Sequence, residues 1–189
     1  NCEWSQELTL DDSFDEYLNA WIILHILNHL WHPEKKEQGF IFNMSVGYNL
    51  EGILNPNVQR FLDRMTGCDD LLEEKLRQIR SIYPRLDEII IPAVITDNIT
   101  ISTMHGCPPE EIKSIAEYFI SERKLHTAIK LNPTLLGPVH LRGILNDQLG
   151  YDTVVPDEAF AHDLKYPDAV RLLQDLQKKA DESHVHFGL

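Results

Sequence analysis

A chain of 189 residues, 43 % hydrophobic and 25 % charged, has the balance of a globular protein with enough length for a real core. Its net charge of −13 argues against a nucleic acid or an anionic membrane as partner. No apolar run approaches the roughly 18 residues of a membrane span, and no secretory signal is visible. The cysteines, Cys2, Cys68 and Cys107, form neither a disulfide framework nor a CxxC metal site, which points to a reducing, cytoplasmic compartment.

Asp11-Asp12-Ser13 can cap a first helix, in which Phe14, Leu18, Trp21, Ile22 and Ile26 recur at three-to-four spacing. That helix stops at Trp31-His32-Pro33. Gly39–Ser45 is a β-rich run. Residues 51–65 are weakly helical with a new cap at Asn55-Pro56-Asn57, and Leu71–Ile82 is an amphipathic helix. Pro92 argues against a strand over Ile89–Ile95, whereas Ile99–Thr103 reads well as one. The rhythm then becomes regular: helix Pro109–Lys124, strand Thr127–Leu131, helix Pro138–Leu149 ended by Gly150, strand Tyr151–Val155, helix Tyr166–Ser183, strand Val185–Leu189.

Strands alternating with helices of this length imply βα units and a parallel sheet. A doubly wound sheet and a (β/α)8 barrel both satisfy that pattern, but GxGxxG and GxxxxGKS/T are absent. Residues of chemical type gather at strand C-terminal ends, where barrels build their sites, so the expectation is an α/β fold, a partial TIM barrel truncated at both ends. No linker or repeat divides the chain, which is expected to be a single domain, 1–189, cut from a longer protein. The start at Asn1 and the end on HVHFGL fit a fragment.

Cys107 stands just before a helix whose first amides and dipole favour a thiolate, while Glu110 and Glu111 push the other way. Lys130 lies within an apolar strand, costly unless it meets an anion or leaves the sheet's end. Asn43, Asn49 and Asn132 fall at or after strand ends, where an amide can read a ring edge or simply close a turn. His25, His29 and His32 share a helix face and His105 pairs with Cys107 as HxC, but neither set completes a metal site, and no metal is expected. A cysteine hydrolase using Cys107 and His105 lacks a third partner.

The stretches STMHGCPPEEI (102–112) and IKLNPTLLG (129–137) carry a specific likeness, extended by EWSQELTLDDSFDEYLNAW (3–21), FIFNMSVGYNLEGI (40–53) and FAHDLK (160–165). On these motifs the chain resembles the selenate reductase iron–sulfur subunit family. These are long oxidoreductases similar to the glutamate synthase small subunit and to dihydropyrimidine dehydrogenase. The resemblance implies the dihydroorotate-dehydrogenase-like barrel portion of an NAD(P)H-linked flavin and iron–sulfur protein. In relatives, the cysteine of NLSCPN exchanges a proton with substrate, which would be Cys107 here. The lysine of VKLTPN contacts FMN, which would be Lys130, with Asn132 beside it. The asparagine of a YN pair reads a pyrimidine edge, as Asn49 after Tyr48 would.

Two departures qualify the likeness. The asparagine and serine of NLSCPN are Met104 and Gly106 here, and methionine cannot make an amide's paired hydrogen bonds. In VKLTPN the threonine is replaced by Asn132 and the last asparagine by Thr134. The resemblance also implies FMN in the intact barrel, and FAD and 4Fe-4S clusters elsewhere in the full-length protein, with no cofactor held by this piece alone. Expected partners are the remaining domains of its own polypeptide, other redox subunits and a small-molecule substrate. The alternative reading is a non-catalytic docking barrel within a multi-subunit redox enzyme.

Overall fold

The computed structural model describes residues 9–34, 39–102, 107–161 and 163–189. Cys2, Met104, His105 and Gly106 lie outside the described residues, and so do the first residues of the 3–21 motif. The chain groups into two compact units, one of residues 1–43 with 51–97 and one of residues 44–50 with 98–189.

The first unit is helical. Helix α1 (Leu10–Trp31) buries Phe14, Leu18, Trp21, Ile22 and His25 along one face. Its cap is Thr9 rather than the Asp11–Ser13 cluster. The Thr9 hydroxyl accepts from the Asp12 amide at 3.2 Å while the Asp12 carboxylate accepts from the Thr9 amide at 3.0 Å, a reciprocal capping box. The Trp21 indole donates to the Pro92 carbonyl at 2.9 Å, tying the 89–97 segment to the helix. Phe40 and Phe42 pack edge-on against Trp21 at centroid distances of 5.5 and 6.1 Å. The first half of the expected 39–45 strand therefore lies along α1, and only its last residues join a sheet. Helix α2 (Leu50–Ile53) bridges into helix α3 (Pro56–Thr66), which has Asn55 at its cap and proline in its first turn, where no amide partner is lost. Helix α4 (Asp69–Arg80) follows from Cys68, and a 3-10 turn spans Pro84–Glu88.

The second unit carries the sheet. Strands β1 (Met44–Val46), β2 (Asn98–Ser102), β3 (His126–Lys130) and β4 (Phe187–Gly188) form one four-stranded parallel sheet in the order β1-β2-β3-β4. Sequential order without reversal is the winding of a barrel wall, whereas a doubly wound sheet reverses at a switch point. The register places Met44, Ile99 and Thr127 in one row and Val46, Ile101 and Ile129 in the next, all buried. Helix α5 (Pro109–Glu117) continues as a π-turn over Tyr118–Glu122 and buries Ile112, Ile115, Ala116, Phe119 and Ile120. Helix α6 (Gly137–Arg142) continues as a π-turn over Gly143–Gln148, and α7 (Glu158–Ala161) is a single turn. Helix α8 (Tyr166–Ser183) buries Ala169, Leu172, Leu176 and Ala180 at helical spacing and ends on His184 in the left-handed region, φ 58°. Each fully buried Ile or Leu in this layer contributes about 1.5–3 kcal/mol.

One expected strand is absent. Tyr151–Val155 forms no ladder and is largely exposed. Its carbonyls are taken by side chains instead: Asn146 Nδ2 donates to Tyr151 at 2.7 Å and Thr153 at 2.9 Å, and Arg142 donates to Val155 at 2.6 Å. β3 consequently pairs with β4 directly, which is shorter than the expected 185–189 run. The α/β class and the partial parallel sheet stand as expected.

Candidate functional site

Parallel strands deliver their C-terminal ends to one edge of the sheet. There the chain places Tyr48 and Asn49 after β1, Cys107 after β2 and Lys130 to Asn132 at the end of β3. Cys107 precedes Pro108, the extended cap of α5 (φ −61°, ψ 146°), and Pro109, which opens the helix. Asn132 caps the 3-10 turn Pro133–Leu136, its carbonyl accepting from the Leu135 amide at 3.1 Å. Asn49 is exposed, and the next amide, Leu50, donates to Glu111 Oε1 at 2.8 Å. Glu111 on the first turn of α5 thus ties the loop after β1 to the helix that follows Cys107.

Cys107 and Asn132 line a common small cleft with a cavity volume of about 20 Å³, room for about one water molecule. Ile112, Leu131, Leu135 and Leu164 supply its apolar walls, and Thr134 and Asp163 its remaining polar groups. Asp163 is only 9 % exposed and accepts a hydrogen bond from the Thr134 hydroxyl. Sequence reasoning passed over Asp163 and saw Thr134 only as a replaced asparagine. The signal was a carboxylate inside the quoted FAHDLK motif, but its partner lies 29 residues away and no local pattern marks it as buried.

The electrostatics of the cleft favour a protonated thiol. Burial pushes the Cys107 thiol above its ordinary value, and the nearby Glu111 carboxylate pushes it the same way. A neutral S–H suits proton donation better than nucleophilic attack.

Lys130 stands at the same end of the sheet but on the other face. Strand alternation aligns it with Ser102, Ala128 and Thr100, opposite the buried Ile129 and Ile101. Lys130 is exposed, and the lining of the Cys107 cleft does not include it. The structure therefore brings Cys107 and Asn132 together, sets Lys130 across the strand from them, and leaves Asn49 at the edge beside the Glu111 tether.

The histidines of α1 serve another purpose. His25 is buried against Trp21 and Phe40, and burial lowers its pKa to about 4. His29 Nε2 lies 3.5 Å from Glu88. Among the described residues no group of three or more metal-binding side chains comes together.

Comparison with known proteins fits this geometry. Residues 1–189 match the family described as oxidoreductase YgfK, N-terminal TIM-barrel domain. The chain belongs to that family. It is 40 % identical to "Putative oxidoreductase YgfK" from Escherichia coli strain K12 and, at the same identity, to that of Escherichia coli O157:H7, with all of this chain aligned. It spans 20 % of the length of these curated relatives. No solved structure matches. The sequential parallel sheet is accordingly part of a TIM-barrel wall, and the strand C-terminal edge that carries Cys107, Lys130 and Asn132 is the edge where barrel enzymes hold their sites. No described helix is long and apolar enough to cross a membrane.

Proposed function

We propose that this domain is the flavin-type barrel of a longer, cytoplasmic, NAD(P)H-linked oxidoreductase, with Cys107 as the proton donor and acceptor for the substrate. The observation that carries the reading is a neutral thiol and an amide on one cleft at the C-terminal edge of a sequential parallel sheet, with an ammonium at the same edge on the opposite face. The oxidoreductase name of the family and of its relatives agrees with it.

The residues present suit a planar ring at that edge. On the sheet face shared with Lys130 the side chains are small, with Ser45, Thr100, Ala128 and Gly188 in one row, and a Cβ added at Gly188 would meet nothing within 4 Å. FMN, when bound, would supply hydride transfer. Lys130 would hold negative charge at the ring, and Asn132 would orient a polar edge at the mouth of the cleft. Cys107 would give its proton to the substrate atom opposite the hydride and take one back in the reverse direction. Asn49 would contribute to substrate orientation from the loop after β1. FAD and iron–sulfur clusters would sit in other parts of the full-length polypeptide, whose remaining domains and companion redox subunits are the partners this reading requires.

The test is the cofactor content of the full-length protein. FMN released from the purified polypeptide, and lost in Lys130→Ala with the fold retained, is the expected result. A folded full-length protein that carries FAD and no FMN would overturn the mechanism. It would favour a docking barrel, the reading to which Met104 and Gly106 lean through their loss of hydrogen-bonding side chains.

A further inference from the structure

The exposed segment Tyr151–Val155 is held along one side only. Asn146 Nδ2 donates to the Tyr151 and Thr153 carbonyls at 2.7 and 2.9 Å, and Arg142 Nη2 donates to the Val155 carbonyl at 2.6 Å. The Arg142 guanidinium also donates to Asp157 at 2.5 Å and lies over the Phe160 ring, so the staple is itself anchored. Three alternate carbonyls thus face one helical stretch, and that two-residue alternation is the period of a strand. The backbone groups of the residues between them, Asp152 and Val154, are turned to the opposite side by the same alternation. Among the described residues neither backbone makes a hydrogen bond, and Val154 is 85 % exposed. The segment is an edge strand without a partner, built from residue types that favour strands. It is also acidic. Asp147, Asp152 and Glu158 are exposed and make no ion pair among the described residues. The lysine and arginine of this stretch are engaged: Arg142 with Asp157, and Lys165 with the carbonyls of Phe160 and Ala161.

We propose that this edge docks a basic strand from elsewhere in the longer polypeptide. The incoming strand would pair with the N–H and C=O groups of Asp152 and Val154 and set lysine or arginine side chains against the acidic rim. Because Asn146 and Arg142 already fix the edge, pairing costs less ordering than it would on a loose loop. A ladder of two residues is too short to hold a separate peptide firmly, whereas a tethered strand arrives at an effective concentration of about millimolar. The chain spans 20 % of the length of its curated relatives, and the remainder is the source of that strand. Asp147, Asp152 and Glu158 favour a cationic strand over an acidic one, and they disfavour pairing between two copies of this edge. The proposal does not depend on flavin binding.

The test is hydrogen exchange in the purified full-length protein, read by mass spectrometry at single amides. The Asp152 and Val154 amides should exchange at least about tenfold more slowly than unstructured backbone, equally at dilute and at concentrated protein. Reversing the rim charge with Asp147→Lys and Asp152→Lys together should return the Val154 amide toward the unstructured rate by about tenfold, while the amides of β3 keep their protection and report an intact fold. Exchange of both amides at the unstructured rate in the parent would overturn the proposal. So would protection that survives the charge reversal, since the cover would then not be cationic. Protection that appears only at high protein concentration would assign the edge to a second copy and overturn it as well. If the double variant does not fold, the rates and their concentration dependence in the parent decide alone.

Discussion

Two cysteines in this chain stand at the start of helices, each followed by acidic residues, and the fold treats them differently. Cys68 caps α4 and is 4 % exposed; its thiol donates to the Ala93 carbonyl at 3.1 Å. Burial, and then Asp69, raise its pKa to about 11. Cys107 precedes α5 and is half-buried on the wall of a cleft that also holds Asn132, Thr134 and Asp163. Its thiol is raised as well, by burial first and Glu111 second. At both helix starts burial and a neighbouring carboxylate raise the thiol. What separates the two cysteines is access to open space beside other polar groups.

The largest test of that contrast is catalytic. In the full-length protein Cys107→Ala should lower NAD(P)H-driven turnover by about 10²–10⁴-fold, the usual worth of a positioned acid or base, with flavin content unchanged. Cys68→Ala should leave turnover near the parent value. Equal turnover in the Cys107 variant would erase the distinction.

The second test concerns the polar group buried in the helical unit. His25 is held neutral, its pKa lowered to about 4 by burial beside Trp21 and Phe40. A depressed histidine binds its proton more tightly in the unfolded chain, so its contribution is intact above about pH 6.5. It is lost as pH falls from there toward 4. The loss should be on the order of 2 kcal/mol, discounted for partial solvation of the ring. Urea midpoints between pH 7.5 and about 4 measure it. His25→Phe should lose less stability over that window than the parent, and parallel curves would show that the ring is not desolvated.

Cys68 itself gives a smaller effect. Cys68→Ala removes the thiol–carbonyl bond and leaves a small void, while the Cys68 amide still donates to Ala93 at 3.0 Å. The expected cost is about 1 kcal/mol in urea unfolding. Cys107→Ala should stay within about 0.5 kcal/mol of the parent, as expected for a residue not locked in a core. A reversal of these two numbers would mean that Cys107 is the structural thiol.

Much of this contrast was legible in the sequence. Helix α8 spans the expected Tyr166–Ser183, and β2 and β3 fall within a residue of the expected strands. Cys107, Lys130 and Asn132 stand out in the sequence because residue types that are awkward inside a strand or useful before a helix are visible locally. The misreadings have a shared cause in contacts made across the chain. Tyr151–Val155 has β-forming residues, yet Asn146 and Arg142 take its carbonyls. Asp163 becomes a cleft residue only through Thr134. Which side of β3 faces the Cys107 cleft depended on register, which no sequence window contains.

The smallest expected effect isolates why the Cys107 thiol is neutral. Glu111 does two things: its carboxylate raises the Cys107 pKa, and its Oε1 accepts from the Leu50 amide at 2.8 Å. Glu111→Gln removes the charge and keeps a carbonyl oxygen for Leu50, so the loop after β1 should hold its place while the thiolate becomes easier to form. The rate of Cys107 alkylation against pH, read by mass spectrometry at the peptide containing it, should then inflect at lower pH than in the parent. Cys68, buried and bonded to Ala93, should react slowly in both proteins and serves as the internal reference. Glu111→Ala should give the same lowered inflection and also free the Leu50 amide, seen as faster hydrogen exchange there. An inflection that does not move in Glu111→Gln would leave burial as the whole cause of the raised thiol. It would also make Glu111 a tether for the loop that carries Asn49 and nothing more.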